Sequence, residues 1–102
     1  MKQLKIPNES VLSKDKNAVE VVRFWISSGD CHVNLNIGIW ANDGKDVDKE
    51  LWIWSNVLSD IAQHVANGLS QRYDCDIEGA KGMIAKEFNK CMKSKTPGLK
   101  GK

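Results

Sequence analysis

Cysteine is scarce in this chain of 102 residues, and no C-x-x-C pair is present. Cys31, Cys75 and Cys91 are odd in number and scattered, which is typical of reduced thiols and excludes a disulfide framework or a zinc knuckle. No apolar run approaches the roughly 18–20 residues that a membrane span needs. The first ten residues also lack the apolar core of a secretory signal. We therefore expect a cytoplasmic protein that does not enter a membrane.

Motifs for cofactors and catalysis are missing too. The chain has no G-x-G-x-x-G, no phosphate-binding loop, no H-E-x-x-H and no G-x-S-x-G. A metal needs three or four convergent ligands. Cys31 and His32 are neighbours on a predicted strand, so they point to opposite faces and do not chelate together. We expect no cofactor, no native metal and a non-enzymatic function.

Arginine is absent from the basic end of the chain. Residues 1–80 hold 8 Lys and Arg against 12 Asp and Glu, whereas residues 81–102 hold 7 Lys against one Glu. Specific nucleic-acid recognition usually interleaves Arg with aromatic groups, and Phe88 is the one aromatic residue in this stretch. We interpret the Lys-rich stretch from residue 81 onward as a solvated helix face that runs into a disordered basic tail over 94–102. Weak attraction to a polyanion is the alternative.

Tryptophan, in contrast, is abundant between residues 25 and 54, where four occur. Trp54 falls on the apolar side of a predicted helix, and Trp40 begins the connection that precedes this helix. Trp25 falls on the polar side of a predicted hairpin, and Trp52 falls on the polar side of the helix. Large apolar rings on two faces that the pattern predicts to be solvent-exposed indicate a second buried surface. A partner, a folded-back loop or the walls of a pocket would cover these rings.

Two alternating segments, residues 19–28 and 31–37, predict a β-hairpin. Gly29-Asp30 between them suits a two-residue turn with glycine at the position that needs positive φ. This turn places all apolar cross-strand pairs on one face. The predicted pairs are Val22–Ile37, Phe24–Leu35 and Ile26–Val33.

The opposite face of the hairpin combines an aromatic ring with polar donors and acceptors. It suits a small polar ligand, an anion or a protein partner, and a hydrogen-bonded sheet surface or a dimer interface is the alternative. Together with the two flanking tryptophans, the predicted ligand- or partner-binding residues are Arg23, Trp25, His32, Asn34, Asn36, Trp40 and Trp52.

Helical periodicity follows the hairpin. Asp46 or Asp48 is a good N-cap for a helix from about Val47 to Tyr73, and a second helix is predicted from about Ile77 to Lys93. Nine residues of the first helix form one broad apolar stripe. They are Leu51, Trp54, Val57, Leu58, Ile61, Ala62, Val65, Gly68 and Leu69.

These elements predict an α+β domain of order β-β-α-α, with two antiparallel helices packed on one face of the hairpin. Residues 1–18 form a polar, irregular N-terminal arm, residues 19–93 the domain, and residues 94–102 the tail. An isolated two-stranded hairpin is marginal and leaves both edges open. We expect the sheet to be completed by homodimerisation, either edge to edge or through the Trp25 faces.

Two strings in this chain resemble those of a small bacterial family of uncharacterised proteins, a domain of unknown function. The first, W-I-x2-G-x2-H-x2-L-N-x-G-x-W, spans residues 25–40, and the second, W-x3-L-x-D-x-A-x-H-V-A, spans residues 54–66. The resemblance implies a compact α+β domain in a bacterial cytoplasm, and it supplies no catalytic residues. The loop from Ala41 to Leu51 is longer than the family pattern leads us to expect.

Two histidines and an acidic cluster are the remaining candidates for chemistry. His64 follows Asp60 by four residues, a spacing at which the two side chains can pair on a helix. No serine or cysteine is tied to this pair as a nucleophile. The acidic cluster suits the positive end of a helix better than a calcium loop, because it lacks the calcium-loop order of ligands. Its members are Asp43, Asp46, Asp48 and Glu50.

The function that these observations favour is a small cytosolic homodimeric domain that binds or assembles through the outer hairpin face. A small enzyme with His32 or His64 as general base is one alternative. A weak nucleic-acid binder that uses the Lys-rich C-terminal region is the other.

Overall fold

A β-hairpin and two long helices make up most of the chain. The computed structural model describes residues 2–94 and 100–101, the last two by their backbone alone. The predicted α+β class, with a hairpin followed by helices, is confirmed. The elements in chain order are α1 (Glu9–Lys14), β1 (Val22–Ser27), β2 (Asp30–Leu35), α2 (Val47–Tyr73), α3 (Ile77–Met92) and β3 (Lys100–Gly101).

The hairpin turn is Ser28-Gly29, one residue earlier than predicted. Both residues have positive φ, 54° and 80°, as a two-residue turn that matches the twist of its strands requires. Asp30 pairs with Ser27 instead of standing in the turn. The predicted turn at Gly29-Asp30 is therefore wrong.

The register moves by two residues as a consequence. Phe24 pairs with Val33 and Trp25 pairs with His32, so the predicted pairs Val22–Ile37, Phe24–Leu35 and Ile26–Val33 are wrong. Because side chains alternate along a strand, a shift of two leaves every residue on its predicted face. The inner hairpin face, as we call the apolar side, consists of Val22, Phe24, Ile26, Cys31, Val33 and Leu35.

Helix α2 begins where the predicted cap Asp46 indicates, and helix α3 begins at Ile77 as predicted. Helix α2 starts after Asp46, whose side chain makes no capping bond, and ends at Tyr73. Its C-cap, Asp74, has a left-handed backbone conformation, and the Asp74 N–H donates to the Ser70 carbonyl. Helix α3 starts after Asp76, whose carboxylate accepts the Gly79 N–H at 2.7 Å. No helix in residues 2–94 is both long and apolar enough to cross a bilayer.

The two long helices pack on each other and leave the hairpin apart. Ala66 of α2 is fully buried, and α2 and α3 run in contact. No strand backbone lies near a helix backbone in the described part of the chain, and the inner-face residues Phe24 and Ile26 are 52% and 62% exposed. The predicted packing of both helices on the hairpin therefore does not occur within one chain.

The N-terminal arm is more regular than predicted, because Glu9–Lys14 forms the short helix α1 without burying a residue. The predicted tail over 94–102 falls mostly outside the described residues. Within it, Lys100–Gly101 pairs in parallel with Asp30-Cys31 and adds a two-residue third strand beside β2. Strand β1 pairs with β2 alone among the described residues, so no strand pairs with its other edge there.

Candidate functional site

A buried carboxylate joins the hairpin to the first turn of α2. Glu50 is 7% exposed. Its side chain accepts the backbone N–H of Gly38, the backbone N–H of Trp40 at 2.8 Å, and the indole N–H of Trp54 at 3.3 Å. We call these four residues the Glu50 clamp. The clamp therefore ties the segment that follows β2, which ends at Leu35, to the first turns of α2.

The two tryptophans of the clamp also contact each other. The rings of Trp40 and Trp54 lie 5.6 Å apart between centroids at an interplanar angle of 71°, the edge-to-face arrangement that aromatic pairs prefer. Ala41, which follows Trp40 in the chain, is buried. Its carbonyl accepts the Asp46 N–H at 2.8 Å. The connection between hairpin and helix is thus a small, fixed unit.

Two opposing effects set the pKa of Glu50. Burial raises it, and the hydrogen bonds from Gly38, Trp40 and Trp54 lower it by more in sum, so the pKa lies below its usual range. The clamp therefore holds Glu50 as an anion at neutral pH. A carboxylate whose oxygens are all engaged by loop and indole donors acts here as a structural anchor.

The predicted acidic cluster at the start of α2 is wrong for one of its four members, because Glu50 is buried. Asp43, Asp46 and Asp48 are exposed, as expected of charges at a helix N-terminus, whereas Glu50 is turned inward. The sequence did contain a signal, because Glu50 precedes Trp54 by four residues and Ile61 by eleven and so lies on the apolar side of α2. No three His, Cys, Asp or Glu side chains in the described residues are placed to hold a metal ion.

The outer hairpin face brings four of the predicted binding residues together. Trp25 lies directly across from His32, and Arg23 lies across from Asn34. Trp25 is half-buried, and the other three are exposed. Asn36 continues this face, since its N–H donates to the Val21 carbonyl at 3.0 Å.

Arg23 is held in place on that face. Its guanidinium donates two hydrogen bonds, of 3.0 and 3.1 Å, to the carboxylate of Glu20. These bonds, and then the charge of Glu20, raise the pKa of Arg23. Two predicted site residues lie elsewhere, because Trp40 belongs to the Glu50 clamp and Trp52 stands 68% exposed on α2.

Two grooves adjoin these elements. One, of about 850 Å³, runs between the N-terminal arm and β1 and is lined by Phe24, Trp25 and Ile26 along with arm residues such as Leu4 and Ile6. The other, of about 410 Å³, lies between α2 and α3. Its lining is mainly apolar, and the apolar members are Leu58, Ala62, Ile84, Ala85, Phe88 and Met92.

The two histidines lie on different elements, His32 on β2 and His64 on α2. Within residues 2–94, neither the His32 imidazole nor the His64 imidazole makes a side-chain hydrogen bond or an ion pair. The Asp60–His64 side-chain pair that the helical spacing allows does not form there. His32 stands beside an aromatic ring and an amide, and His64 is exposed on α2. The outer hairpin face therefore offers aromatic contact area and polar donors, which suit binding.

Comparison with known proteins identifies the family of the chain and a solved structure with a similar fold. A family described as a domain of unknown function (DUF5076) matches residues 3–96. No curated protein gives a significant match. A solved structure described as that of a "putative pyruvate dehydrogenase", from the photosynthetic bacterium Rhodopseudomonas palustrus CGA009, is similar with a TM-score of 0.67 and 20% identity. The match covers 96% of this chain and 90% of that one, and at this identity it shows a shared fold alone.

Proposed function

The chain belongs to the DUF5076 domain family, and we propose that it is a homodimeric binding or assembly domain. One observation carries the proposal, namely that the apolar surfaces of a single chain are left without partners. None of the large side chains in the described residues is fully buried. Phe24 and Ile26 of the inner hairpin face are 52% and 62% exposed. On the apolar stripe of α2, the exposed fraction is 39–47% at Leu58, Ile61, Val65 and Leu69.

The surface area of the chain supports this proposal quantitatively. A compact protein of 11.4 kDa exposes about 5800 Å², whereas this chain exposes 9161 Å². The excess is about 3400 Å². If each of two copies buried half of this excess, the interface would match the roughly 2000–5000 Å² of obligate homodimers. The radius of gyration, 16.0 Å, likewise exceeds the about 13 Å of a compact domain of 100 residues.

The outer hairpin face is the part of this dimer that we propose for binding. Trp25 supplies a rigid aromatic surface, and Arg23, His32 and Asn34 surround it with polar groups. Aromatic and arginine side chains are enriched where proteins bind each other. The three cysteines, all free, support placing the protein in the cytosol.

Sedimentation equilibrium of the full chain at tens of micromolar tests the homodimer. We expect twice the mass of the 11.4 kDa chain, with the dimer dissociating on dilution. A single species of 11.4 kDa across that range contradicts the proposal, because an open monomer would then be the working form.

Binding by the outer hairpin face needs its own measurement. Tryptophan fluorescence gives a local probe once the part of the emission that comes from Trp25 is known. Replacing Trp40, Trp52 and Trp54 by Phe, one at a time, identifies the contribution of each of these residues to the emission. A fragment library of small anions and amides should quench or shift the Trp25 component, and Trp25→Phe should abolish that response. A response that survives Trp25→Phe would place the binding surface elsewhere.

A further inference from the structure

We infer that the dimer is reciprocal, with the inner hairpin face of each copy seated on α2 of the other copy. This inference rests on the proposed homodimer and names the surfaces that meet in it. The receiving surface, which we call the α2 stripe, consists of Leu58, Ile61, Val65 and Leu69. All four are 39–47% exposed and recur every three or four residues on one side of the helix.

The two surfaces match in chemistry. Neither the inner hairpin face nor the α2 stripe contains a charged residue, so joining them buries no unpaired charge. A sheet with one apolar face and a helix with one apolar stripe form a stable two-layer unit only when these surfaces meet. In a single chain they do not meet.

The two surfaces also match in size. Six-residue strands are about 20 Å long, and two paired strands make a ribbon about 10 Å wide. The span from Leu58 to Leu69 is about 17 Å along α2, and a helix with its side chains is about 10–12 Å across. One hairpin therefore covers one stripe. Leu58 also lines the groove between α2 and α3, so the apolar surface continues from the stripe into that groove.

The Glu50 clamp supports a second copy as the partner, because the hairpin does not reach the helices of its own chain. The clamp holds Gly38 and Trp40 against the first turn of α2, and with the clamp closed the hairpin approaches neither helix of its own chain. A second copy related by a two-fold axis presents the same stripe and the same hairpin. Each residue pair is then made twice and the assembly closes.

Other two-fold arrangements leave these surfaces open. Pairing of the two free β1 edges would extend the sheet but would not cover the α2 stripe. Helix-to-helix packing through the stripes would leave Phe24 and Ile26 in water. The reciprocal dimer covers both surfaces with a single contact type, and for that reason we assign it.

Thiol alkylation of the unmodified protein gives the first test. Cys31 lies on the inner hairpin face, and Cys75, in the exposed turn between α2 and α3, is an internal control. Across a dilution series, with N-ethylmaleimide pulses read by mass spectrometry, we expect Cys31 to react about tenfold or more slowly in the dimer than in the monomer. Cys75 should react at one rate throughout. A dimer whose Cys31 reacts as fast as the monomer's overturns the reciprocal arrangement.

A pair of charge variants gives the second test. Ile26→Glu places a charge on the inner hairpin face, and Val65→Lys places one on the α2 stripe. In a reciprocal dimer either change weakens both contacts, and we expect each to raise the dimer Kd about tenfold or more. Mixing the two variants should restore a heterodimer, because one contact is then unchanged and the other joins opposite charges.

Controls and opposite outcomes separate this inference from the proposed function. Ser27→Glu and Asn67→Lys carry the same charges off these surfaces and should dimerise like the unmodified chain, and circular dichroism checks that every variant keeps its helices. A monomeric unmodified chain overturns the proposed function and this inference together. A dimeric unmodified chain in which either charge variant still dimerises normally, or in which the mixture restores nothing, overturns the reciprocal arrangement alone.

Discussion

The carboxylate of Glu50 accepts the backbone N–H of Trp40 at 2.8 Å across ten residues of chain. This contact joins the end of the hairpin unit to the start of α2, and the indole of Trp54 completes it from the next helical turn. The fold therefore depends on one inward-facing acid at the point where its two halves connect.

Replacing Glu50 should loosen this connection. Glu50→Gln keeps the size of the side chain but removes the charge and one of its acceptor positions, so at least one loop N–H loses its partner. We expect a lower midpoint of urea unfolding than in Asp48→Asn, which removes a neighbouring exposed charge. Equal midpoints for the two variants would show that the clamp does not stabilise the fold.

The lowered pKa of Glu50 gives a pH dependence of defined sign. The folded state binds the proton of Glu50 less tightly than the unfolded state, whose carboxyl has the ordinary pKa of 4.5. The resulting stabilisation is fully present above that pH and is lost as the pH falls through the folded pKa. Urea unfolding between pH 7 and pH 3 should therefore show a steeper loss in the unmodified chain than in Glu50→Gln. Parallel curves would contradict the lowered pKa.

Trp54 should contribute through its ring more than through its N–H. Trp54→Phe keeps an aromatic edge near Trp40 and loses one long hydrogen bond, so we expect a cost of about 1 kcal/mol. Trp54→Ala removes the ring as well and should cost about 3 kcal/mol. Chemical unfolding of both variants measures this order. A Phe variant as unstable as the Ala variant would assign the effect to the hydrogen bond.

Helix bounds and strand faces could be predicted from the sequence because short-range rules set them. Acidic caps and a 3.6-residue period gave α2 as Val47–Tyr73, as observed. Alternation assigned the inner hairpin face correctly even though the turn was misplaced. Gly29 suits either turn, and the choice depends on whether its neighbour Ser28 accepts positive φ, which composition alone does not decide.

The packing could not be predicted in the same way. Amphipathic patterns show which faces must be buried but not which chain buries them, so the hairpin and helices were expected to meet within one copy. Glu50 was assigned to the helix N-terminus because acids are common there. Its alignment with Trp54 and Ile61 was the stronger signal, since a charge on an apolar face needs donors.

Phe24 and Trp25 test the central claim most directly, because they are adjacent on β1 and point to opposite faces. The measurement is the dimer Kd by sedimentation for Phe24→Ala and Trp25→Ala beside the unmodified chain. If dimerisation buries the inner hairpin face, Phe24→Ala should raise the Kd about a hundredfold or more, since each copy loses a buried ring. Trp25→Ala should change the Kd by less than about threefold. A larger effect of Trp25→Ala than of Phe24→Ala would contradict the claim and place the interface on the outer hairpin face.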